Sequence, residues 1–397
     1  MPSPDLDRWR RDTPGCRDRI HLNNAGASLM PRPVLDVITG HLQREAAIGG
    51  YEAEAEAAPR IAETYELIAR LIGAAPHNVA LVENATVAMS QALSAFDFHA
   101  GDRIVTTRAD YPSHQIMFLS LARRAGVDVV RADDLPEGGV DPESVRRYAS
   151  HPRTKLVSVT WVPTNSGLVQ DARAVGRICR EIGVPYLVDA CQSVGQMPVD
   201  VAEVQCDYLA ATGRKFLRGP RGIGFLYVSD WALAKGAFPL FVDMRGATWT
   251  DRDAFQLSEG ARRFENWEFA SALVLGLGEA ARYALAVGPG GGERAWALAA
   301  ELRRQLGGLP GVRVMDRGRE RCAIVTIDVP GHDAADLKLK LRARGVNASS
   351  SDREDGVLDM DEKRVATVLR FSPHYYNTEA ELDKAVAVLA ALVRGQT

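Results

Sequence analysis

Residues 188–224 read VDACQSVGQMPVDVAEVQCDYLAATGRKFLRGPRGIG and contain two landmarks, Asp189 and Lys215. Asp189 follows an apolar run, 184–188, whose length and branching are typical of a buried parallel strand. Lys215 follows a second short apolar run, 208–211, and lies in a glycine-rich, cationic turn. Because open α/β sheets bind ligands at the carboxyl edge of their strands, we predict that both side chains face one ligand.

The residue types of this pair indicate a cofactor. A lysine held away from bulk water and near other cations has a lowered pKa and becomes a nucleophile towards a carbonyl group. Pyridoxal 5'-phosphate (PLP) requires such a lysine for its Schiff base, and an aspartate that keeps its pyridine nitrogen protonated. Taken alone, the pair has a second interpretation, because strand-ending aspartates often act as caps and lysines in such turns are often solvated.

The length and composition of the chain limit the class of protein that we expect. A chain of 397 residues is long for a single core, which favours a large domain with a smaller one. Its net charge of −3 is spread along the sequence and gives no reason to expect a nucleic acid or a membrane surface as partner. The five cysteines are scattered and form no CxxC pair, which favours reduced thiols over disulfides or a metal site. With a polar N-terminus and no apolar run of spanning length, a soluble cytoplasmic protein is expected.

The order of the predicted elements indicates the fold class. Strands alternate with helices from residue 78 to 228, which predicts parallel βαβ units and a doubly wound, mainly parallel sheet. A polar connection then leads to a predicted helix at 269–287, and the following GPGGG, residues 288–292, is predicted to be a hinge. The predicted division is a large α/β domain, 20–287, and a small C-terminal α+β domain, 288–397, with residues 1–19 packing near it.

Three polar or aromatic positions near the predicted strand ends are candidate ligand contacts. Thr86 lies at the start of a predicted helix, whose free N–H groups could bind a phosphate, although by itself the pattern favours an N-cap role for Asn84 or Thr86. Tyr111 could stack on a cofactor ring or be a packing residue. Asn24 could orient a polar group of a ligand or form an Asx turn.

Together these landmarks resemble a known family. The stretches VDACQSVGQMPVDV, TGRKFLRGPRGIGFLYV and LRFSPHYYNTEAEL are similar to the class V aminotransferase family of PLP-dependent fold-type I enzymes. That family includes cysteine desulfurases, isopenicillin N epimerase-like enzymes and cysteine C–S lyases. The resemblance runs from about Leu22 to Val386, and it implies fold type I, PLP, an amino-acid substrate and a homodimer.

The resemblance also implies a role for each matched residue. Lys215 would carry the cofactor and act as the general base, Asp189 would pair with the pyridine nitrogen, and Gln192 would bond the phenolic oxygen. Tyr111 occupies the place of a stacking histidine, and Arg370 would hold the substrate carboxylate as a bidentate fork. The remaining implied contacts are Ala85, Thr86, Thr212 and Arg214 to the phosphate, Thr164 or Asn165 to the cofactor, Asn24 and Tyr51 to the substrate, and Asn266 and Trp267 to the partner subunit's site.

The absence of a cysteine from one segment limits the reactions that we expect. The desulfurases of the family accept sulfur on a cysteine of a mobile loop, whereas the corresponding residues 347–368, NASSSDREDGVLDMDEKRVATV, contain no cysteine. The segments NNAGAS, GGYEAEAEA and RRFENWE look more like the C–S lyases, including the ergothioneine-pathway sulfoxide lyase. We therefore expect a lyase that cleaves the β C–S bond of a cysteine S-conjugate or sulfoxide. Epimerisation, transamination, a decarboxylating reaction and a non-catalytic binding role are the alternatives.

Overall fold

A computed structural model describes residues 4–395. The helices are α1 Pro4–Arg11, α2 Arg32–Ile48, α3 Gly50–Ile72, α4 Ala85–Ser94, α5 Pro112–Ala125, α6 Pro142–Ala149, α7 Ala172–Ile182, α8 Val201–Val204, α9 Asp230–Ala234, α10 Ser271–Val287, α11 Pro289–Gly307, α12 Ala334–Ala343, α13 Val357–Lys363 and α14 Glu379–Val393. The strands are β1 Ile20–His21, β2 Val79–Val82, β3 Arg103–Thr106, β4 Asp128–Arg131, β5 Thr154–Thr160, β6 Tyr186–Asp189, β7 Tyr208–Thr212, β8 Gly224–Val228, β9 Ala247–Asp251, β10 Ala254–Leu257, β11 Arg313–Val314, β12 Val325–Asp328, β13 Val346–Asn347, β14 Ser349–Asp352 and β15 Thr367–Phe371. No helix of the described residues is long and apolar enough to cross a bilayer.

The central sheet has seven strands in the order β2-β8-β7-β6-β5-β3-β4. Every neighbouring pair is parallel except those of β8, which runs antiparallel to both β7 and β2. Asp189 pairs with Thr160 on one side and with Ala210 on the other, so the carboxyl ends of β5, β6 and β7 meet at one edge. The predicted α/β fold class, fold type I with a doubly wound and mainly parallel sheet, is confirmed.

Apolar side chains cover both faces of this sheet. Leu187 packs in a cluster with residues of α4 and α5, whereas its neighbour Val188 packs in a second cluster with residues of α3, α7 and α10. Successive side chains of a strand point to opposite faces, so a strand buried on both sides must be apolar at every position. This is why the sequence of β6 is a continuous apolar run that ends at Asp189.

The C-terminal part is built on a four-stranded antiparallel sheet, β11-β12-β15-β14, packed against α11, α12 and α14. Strand β1 pairs in parallel with β13, and Ile20 and Leu22 are buried in the same C-terminal cluster. β1 therefore lies with the C-terminal part, although the predicted large domain begins at residue 20. The proposed division into two domains stays a prediction, and residues 1–3 and 396–397 lie outside the described residues.

The predicted hinge at residues 288–292 is wrong. Gly288, with φ of +69°, joins α10 to α11, but Pro289 begins α11 and the next three glycines are helical. Proline suits the first position of a helix because its fixed φ is already helical and its missing N–H would have no partner there. A Cβ at Gly292 would lie 2.3 Å from the carbonyl oxygen of Gln196, so close packing explains this glycine.

The polar connection after residue 228 contains a hairpin that the sequence pattern did not predict. Strands β9 and β10 pair antiparallel, with Trp249 opposite Phe255. Trp249 is 78% exposed and Phe255 is 55% exposed, and the ring of Phe255 lies 6.4 Å from that of Phe238. The hairpin therefore presents aromatic side chains on the surface of the isolated chain.

Candidate active site

A cavity of about 490 Å³ opens at the carboxyl edge of the central sheet. Seven of the predicted site residues line it: Ala85, Thr86, Tyr111, Asp189, Thr212, Arg214 and Lys215. Further residues to which the sequence assigns no role also line it, among them His114, Cys191 and Arg221. Its volume is in the range of sites that enclose a small organic ligand.

Lys215 is the buried amine of this cavity. Its side chain follows β7, is 7% exposed, and places Nζ 5.7 Å from the centre of the Tyr111 ring. Burial lowers the pKa of Lys215, and the cations Arg214 and Arg370 lower it further, against the opposing effect of Cys191 and Asp189. A larger fraction of neutral amine follows, which is the form that attacks a carbonyl group or accepts a proton.

Asp189 ends β6 and faces the same cavity. Its Oδ1 accepts a hydrogen bond from the backbone N–H of Cys191, at 2.8 Å. Its Oδ2 lies 3.8 Å from Nε2 of His114. A buried carboxylate beside a cationic partner is the group required to pair with a protonated pyridine nitrogen.

One end of the cavity suits a phosphate. Asn84 is the N-cap of α4, since its Oδ1 accepts from the N–H of Val87 at 3.0 Å, so its side chain serves the helix. The N–H groups of Ala85 and Thr86 lie in the first turn, where a helix has no acceptors of its own and carries its positive end. Thr212 lines the cavity with them. The phosphate roles predicted for Ala85, Thr86 and Thr212 fit this geometry.

Arg214 also lines the cavity, and its Nη1 donates to the carbonyl oxygen of Gly26. Burial lowers the pKa of Arg214, and the neighbouring Arg221 adds to this effect. Two guanidinium groups therefore lie close together beside the cavity, and an anion such as a phosphate would relieve their repulsion. The role of Arg214 as a phosphate contact stays a prediction.

Gln192, Thr164 and Arg370 form a second group beside the cavity residues. Nη1 of Arg370 donates to both the carbonyl oxygen and Oγ1 of Thr164, each at 2.9 Å, and Gln192 Nε2 lies 3.3 Å from the same Oγ1. Two buried polar atoms, Gln192 Oε1 and Arg370 Nε, have no hydrogen-bond partner within the described part of the chain. Buried polar atoms almost always have a hydrogen-bond partner, so these two atoms indicate that a bound ligand offers polar groups here.

Thr164 rather than Asn165 belongs to this group. The side chain of Asn165 donates to the carbonyl oxygen of Asp355 and accepts from Oγ of Ser351, both at 2.7 Å. Its side chain therefore bonds to β14 and to the segment that follows β14. The structure does not support the predicted contact of Asn165 with the cofactor, because its hydrogen-bonding groups are already used.

Asn24 is likewise a structural residue. It is fully buried, donates to the carbonyl oxygen of Ser372 at 2.7 Å and accepts from the hydroxyl of Tyr376, which fixes the segment after β1 to β15. The predicted substrate contact of Asn24 is therefore not supported. Oδ1 of its neighbour Asn23 lies 3.5 Å from Nη2 of Arg370.

The other predicted substrate and interface residues lie outside the cavity. Tyr51, in the first turn of α3, is 78% exposed and does not line the cavity of the described chain. Asn266 donates a hydrogen bond to the carboxylate of Glu83 at 3.2 Å, and Glu83 directly precedes Asn84 in the sequence. Trp267 is half exposed. Within one subunit Tyr51 is not brought into the site, and the contribution of Asn266 and Trp267 to the partner subunit's site stays a prediction.

The fold and the site together define a class of protein. A doubly wound sheet that gathers a buried lysine, a strand-ending aspartate and a helix N-terminus around one cavity matches the PLP-dependent enzymes of fold type I, and the unpaired atoms of Gln192 and Arg370 fit a bound cofactor and substrate. Residues 20–385 match the family model described as Aminotransferase class-V. The chain belongs to that family, and its cofactor is PLP.

Individual relatives have different reported activities. A probable cysteine desulfurase of Methanothermobacter thermautotrophicus is 29% identical over 384 residues, which cover 94% of both chains. An isopenicillin N epimerase of Streptomyces clavuligerus is 27% identical, again over 94% of both chains. Among solved structures, an apo cysteine desulfurase from Thermococcus onnurineus NA1 superimposes with a TM-score of 0.90 at 25% identity, covering 100% of this chain and 99% of that one.

Proposed function

We propose that this PLP-dependent enzyme is a carbon–sulfur lyase. It cleaves the β C–S bond of a cysteine S-conjugate or cysteine sulfoxide and yields pyruvate, ammonia and a sulfur-containing product. The observation that carries the proposal is a site suited to deprotonating an amino acid, combined with a segment 347–368 that holds no cysteine to accept sulfur.

Arg370 supplies the site for the substrate carboxylate. Its Nη1 is held by Thr164, while Nε has no partner among residues 4–395 and Nη2 has only the 3.5 Å contact with Asn23. Nε and Nη2 form one edge of a planar guanidinium, which is the edge that binds a carboxylate through two parallel hydrogen bonds. A fixed guanidinium with a free edge therefore orients an α-amino acid.

Lys215 supplies the proton acceptor. When bound, PLP provides a conjugated ring that takes up the negative charge left at Cα once a proton is removed. Lys215 Nζ accepts the Cα proton, and the β C–S bond breaks with its electron pair leaving on sulfur. The leaving sulfur takes a proton, and the released 2-aminoacrylate reacts with one water to give pyruvate and ammonia.

The cysteines do not provide a sulfur acceptor. All five, Cys16, Cys179, Cys191, Cys206 and Cys322, are free and buried, and residues 347–368 contain none. Burial raises the pKa of Cys322 to about 12, and burial together with Asp189 raises the pKa of Cys191 well above its ordinary value. Because the thiolate is the nucleophile of sulfur chemistry, these thiols are poor acceptors, and sulfur leaves as a small molecule.

In this chain, the segment at the position of the desulfurases' mobile loop contains regular secondary structure. It contains β14 and α13, and Ser351 and Asp355 bond Asn165, while Arg353 pairs with Asp361 at 2.5 Å. A segment held by these contacts is suited to close the site rather than to carry sulfur away. Free cysteines also favour a cytoplasmic location, which is part of the proposal.

We further propose a homodimer, in which a second copy covers the exposed hairpin β9–β10 and the loop before it. Phe241, Met244 and Trp249 are largely exposed in the isolated chain, next to Trp267 and the segment that contacts Glu83 beside the cavity. Exposed apolar patches of this kind mark interaction surfaces. The patch adjoins the cofactor site, so a second copy of the chain is the occupant proposed.

Epimerisation is the second candidate, because it begins with the same removal of the Cα proton and an isopenicillin N epimerase is among the relatives. The two reactions differ in their products. Incubation with S-substituted cysteines in deuterated water tests them together: pyruvate formation supports the lyase. Deuterium at Cα without pyruvate would reject the lyase and support the epimerase.

A further inference from the structure

The imidazole of His114 lies between two buried carboxylates. Its Nδ1 is 3.2 Å from Oδ1 of Asp110, and its Nε2 is 3.8 Å from Oδ2 of Asp189. All three side chains are at least nine-tenths buried. Both ring nitrogens are therefore directed at carboxylates, an arrangement that favours the doubly protonated, cationic form of histidine.

Asp110 is held as a carboxylate by several donors. Oδ2 accepts from the hydroxyl of Thr106 at 2.6 Å, and Oδ1 accepts from the hydroxyl of Thr160 and from the backbone N–H of Tyr111. Burial alone would raise the pKa of Asp110, but the hydrogen bonds from His114, Thr106 and Thr160 hold it below the ordinary value. Asp110 is thus a fixed negative charge at the end of β3 and β5.

The charge of His114 follows from its two neighbours. Burial would lower the pKa of His114, yet the hydrogen bond to Asp110 and the charges of Asp189 and Asp110 raise it, with Lys215 acting in the opposite direction. Its other close neighbour is the Tyr111 ring, 5.4 Å away in an edge-on contact. Charges then alternate along the triad Asp110–His114–Asp189, as negative, positive and negative.

We propose that this triad sets the protonation of the cofactor ring, with His114 as a positioning residue that holds the Asp189 carboxylate directed into the cavity. The inference rests on PLP as the cofactor and not on the particular reaction. A buried carboxylate without a cationic neighbour tends to take up a proton and then cannot hold one on a pyridine nitrogen. Asp110 compensates the charge of His114 in turn.

The triad also links Asp189 to the predicted stacking residue. The N–H of Tyr111 donates to Asp110 at 2.7 Å, and Thr160, whose hydroxyl also bonds Asp110, pairs with Asp189 in the sheet. One carboxylate therefore fixes the start of α5, the end of β5 and the orientation of His114. The ring-facing tyrosine and the ring-pairing aspartate are positioned by the same group.

The direct test measures the ring nitrogen itself. The enzyme and the variants His114→Asn and His114→Gln are loaded with PLP that carries ¹⁵N in the ring, and the nitrogen chemical shift is followed by NMR against pH. In the unaltered enzyme the nitrogen stays protonated to a higher pH than in either variant, by about 1 pH unit or more. Without His114 the Asp189 carboxylate is no longer held beside the ring nitrogen, and an opposite charge at that place shifts a pKa by this amount. His77→Asn is the matched control, because His77 pairs with Asp230 at 2.8 Å on the surface, and it leaves the titration unchanged.

A second measurement separates positioning from a general effect on folding. Deuterium exchange at Cα of a bound amino acid is compared with PLP and with an analogue that has carbon in place of the ring nitrogen. His114→Asn slows exchange about tenfold or more with PLP and has no further effect with the analogue. Equal slowing with both cofactors, or an unchanged nitrogen titration in the variants, overturns the proposal. Absence of pyruvate from every substrate would reject the lyase function alone, because neither readout depends on C–S cleavage.

Discussion

Nη1 of Arg370 donates to both the carbonyl oxygen and the hydroxyl of Thr164, so one residue fixes the plane of the guanidinium. Arg370 comes from β15 and Thr164 from the loop after β5, so the contact joins the C-terminal part to the edge of the central sheet. In the proposed function, the free edge of Arg370 holds the substrate carboxylate in a defined orientation. Substrate recognition would then depend on how the C-terminal part packs on the larger part.

Arg370→Lys is expected to impair substrate binding strongly. A lysine keeps the positive charge but cannot make the planar, two-point contact, and the loss of about 2 kcal/mol corresponds to roughly 30-fold in kcat/KM. Steady-state kinetics of pyruvate formation measure the effect. Arg313→Lys, which alters an exposed arginine paired with Asp328, is the control and stays within twofold. Equal kinetics for both variants would show that Arg370 does not hold the carboxylate.

Cys322→Ala and Cys191→Ala are expected to retain C–S cleavage. Both thiols are buried and mainly protonated, and neither lies in residues 347–368. Mass spectrometry of the unaltered enzyme after turnover should show no added sulfur on the protein, and the Cys322→Ala variant should form pyruvate at an unchanged rate. A persulfide on any cysteine, together with loss of activity in the matching variant, would restore the desulfurase interpretation.

Glu265 is expected to make stability depend on pH. It is buried, accepts from the hydroxyl of Tyr65 at 2.9 Å and from the N–H of Leu81 at 2.8 Å, and burial raises its pKa to about 6 from the ordinary 4.5. A raised carboxyl pKa means that the folded state binds the proton more tightly than the unfolded state. Its contribution to the free energy of unfolding therefore falls by about 2 kcal/mol as the pH rises from 4.5 to above 6.

Comparison with Glu265→Gln isolates this effect, because every other group titrates in both proteins. Urea unfolding at several pH values should give a difference in the free energy of unfolding, unaltered enzyme minus variant, that declines between pH 4.5 and 7 and is flat above. A difference that stays constant over this range would place the pKa of Glu265 at its ordinary value.

Trp249→Glu is expected to weaken the proposed homodimer. Trp249 and Phe255 face each other across the exposed hairpin, and a charge placed there would have to be buried by a second copy. Analytical ultracentrifugation at low protein concentration should show a dimer for the unaltered enzyme and dissociation for the variant. Leu339→Glu, at an exposed position of α12, is the control. A fully active monomer of the unaltered enzyme would contradict the proposal.

The central sheet could be read from the sequence because its strands are buried on both faces. The apolar run before Asp189 appears in the structure as Tyr186–Asp189, and Val79–Val82 lies where the pattern predicts a strand. The cofactor could be predicted because Asp189 ends β6 and Lys215 follows the neighbouring strand β7. These features depend on local pattern and on a general rule about parallel sheets.

Other features depend on contacts between distant segments and could not be read from local pattern. The structural role of Asn24 is one such feature, since its bonds to Ser372 and Tyr376 join residues about 350 positions apart in the sequence. The position of His114 in the site is another, because Asp189 is 75 positions further along the sequence and reaches it only in the folded sheet. The glycines at 290–292 indicate a hinge when only the sequence is considered. Composition does not reveal their neighbours in the fold, such as Gln196.

The central claim is best tested by one stoichiometric measurement. Purified enzyme loaded with PLP is incubated with a set of S-substituted L-cysteines and their sulfoxides, and pyruvate, ammonia and the released sulfur compound are quantified together, with Lys215→Ala as the inactive reference. The lyase proposal predicts equal amounts of all three for at least one compound and none with Lys215→Ala. Turnover of these substrates without pyruvate, or pyruvate formation that persists in Lys215→Ala, would contradict it.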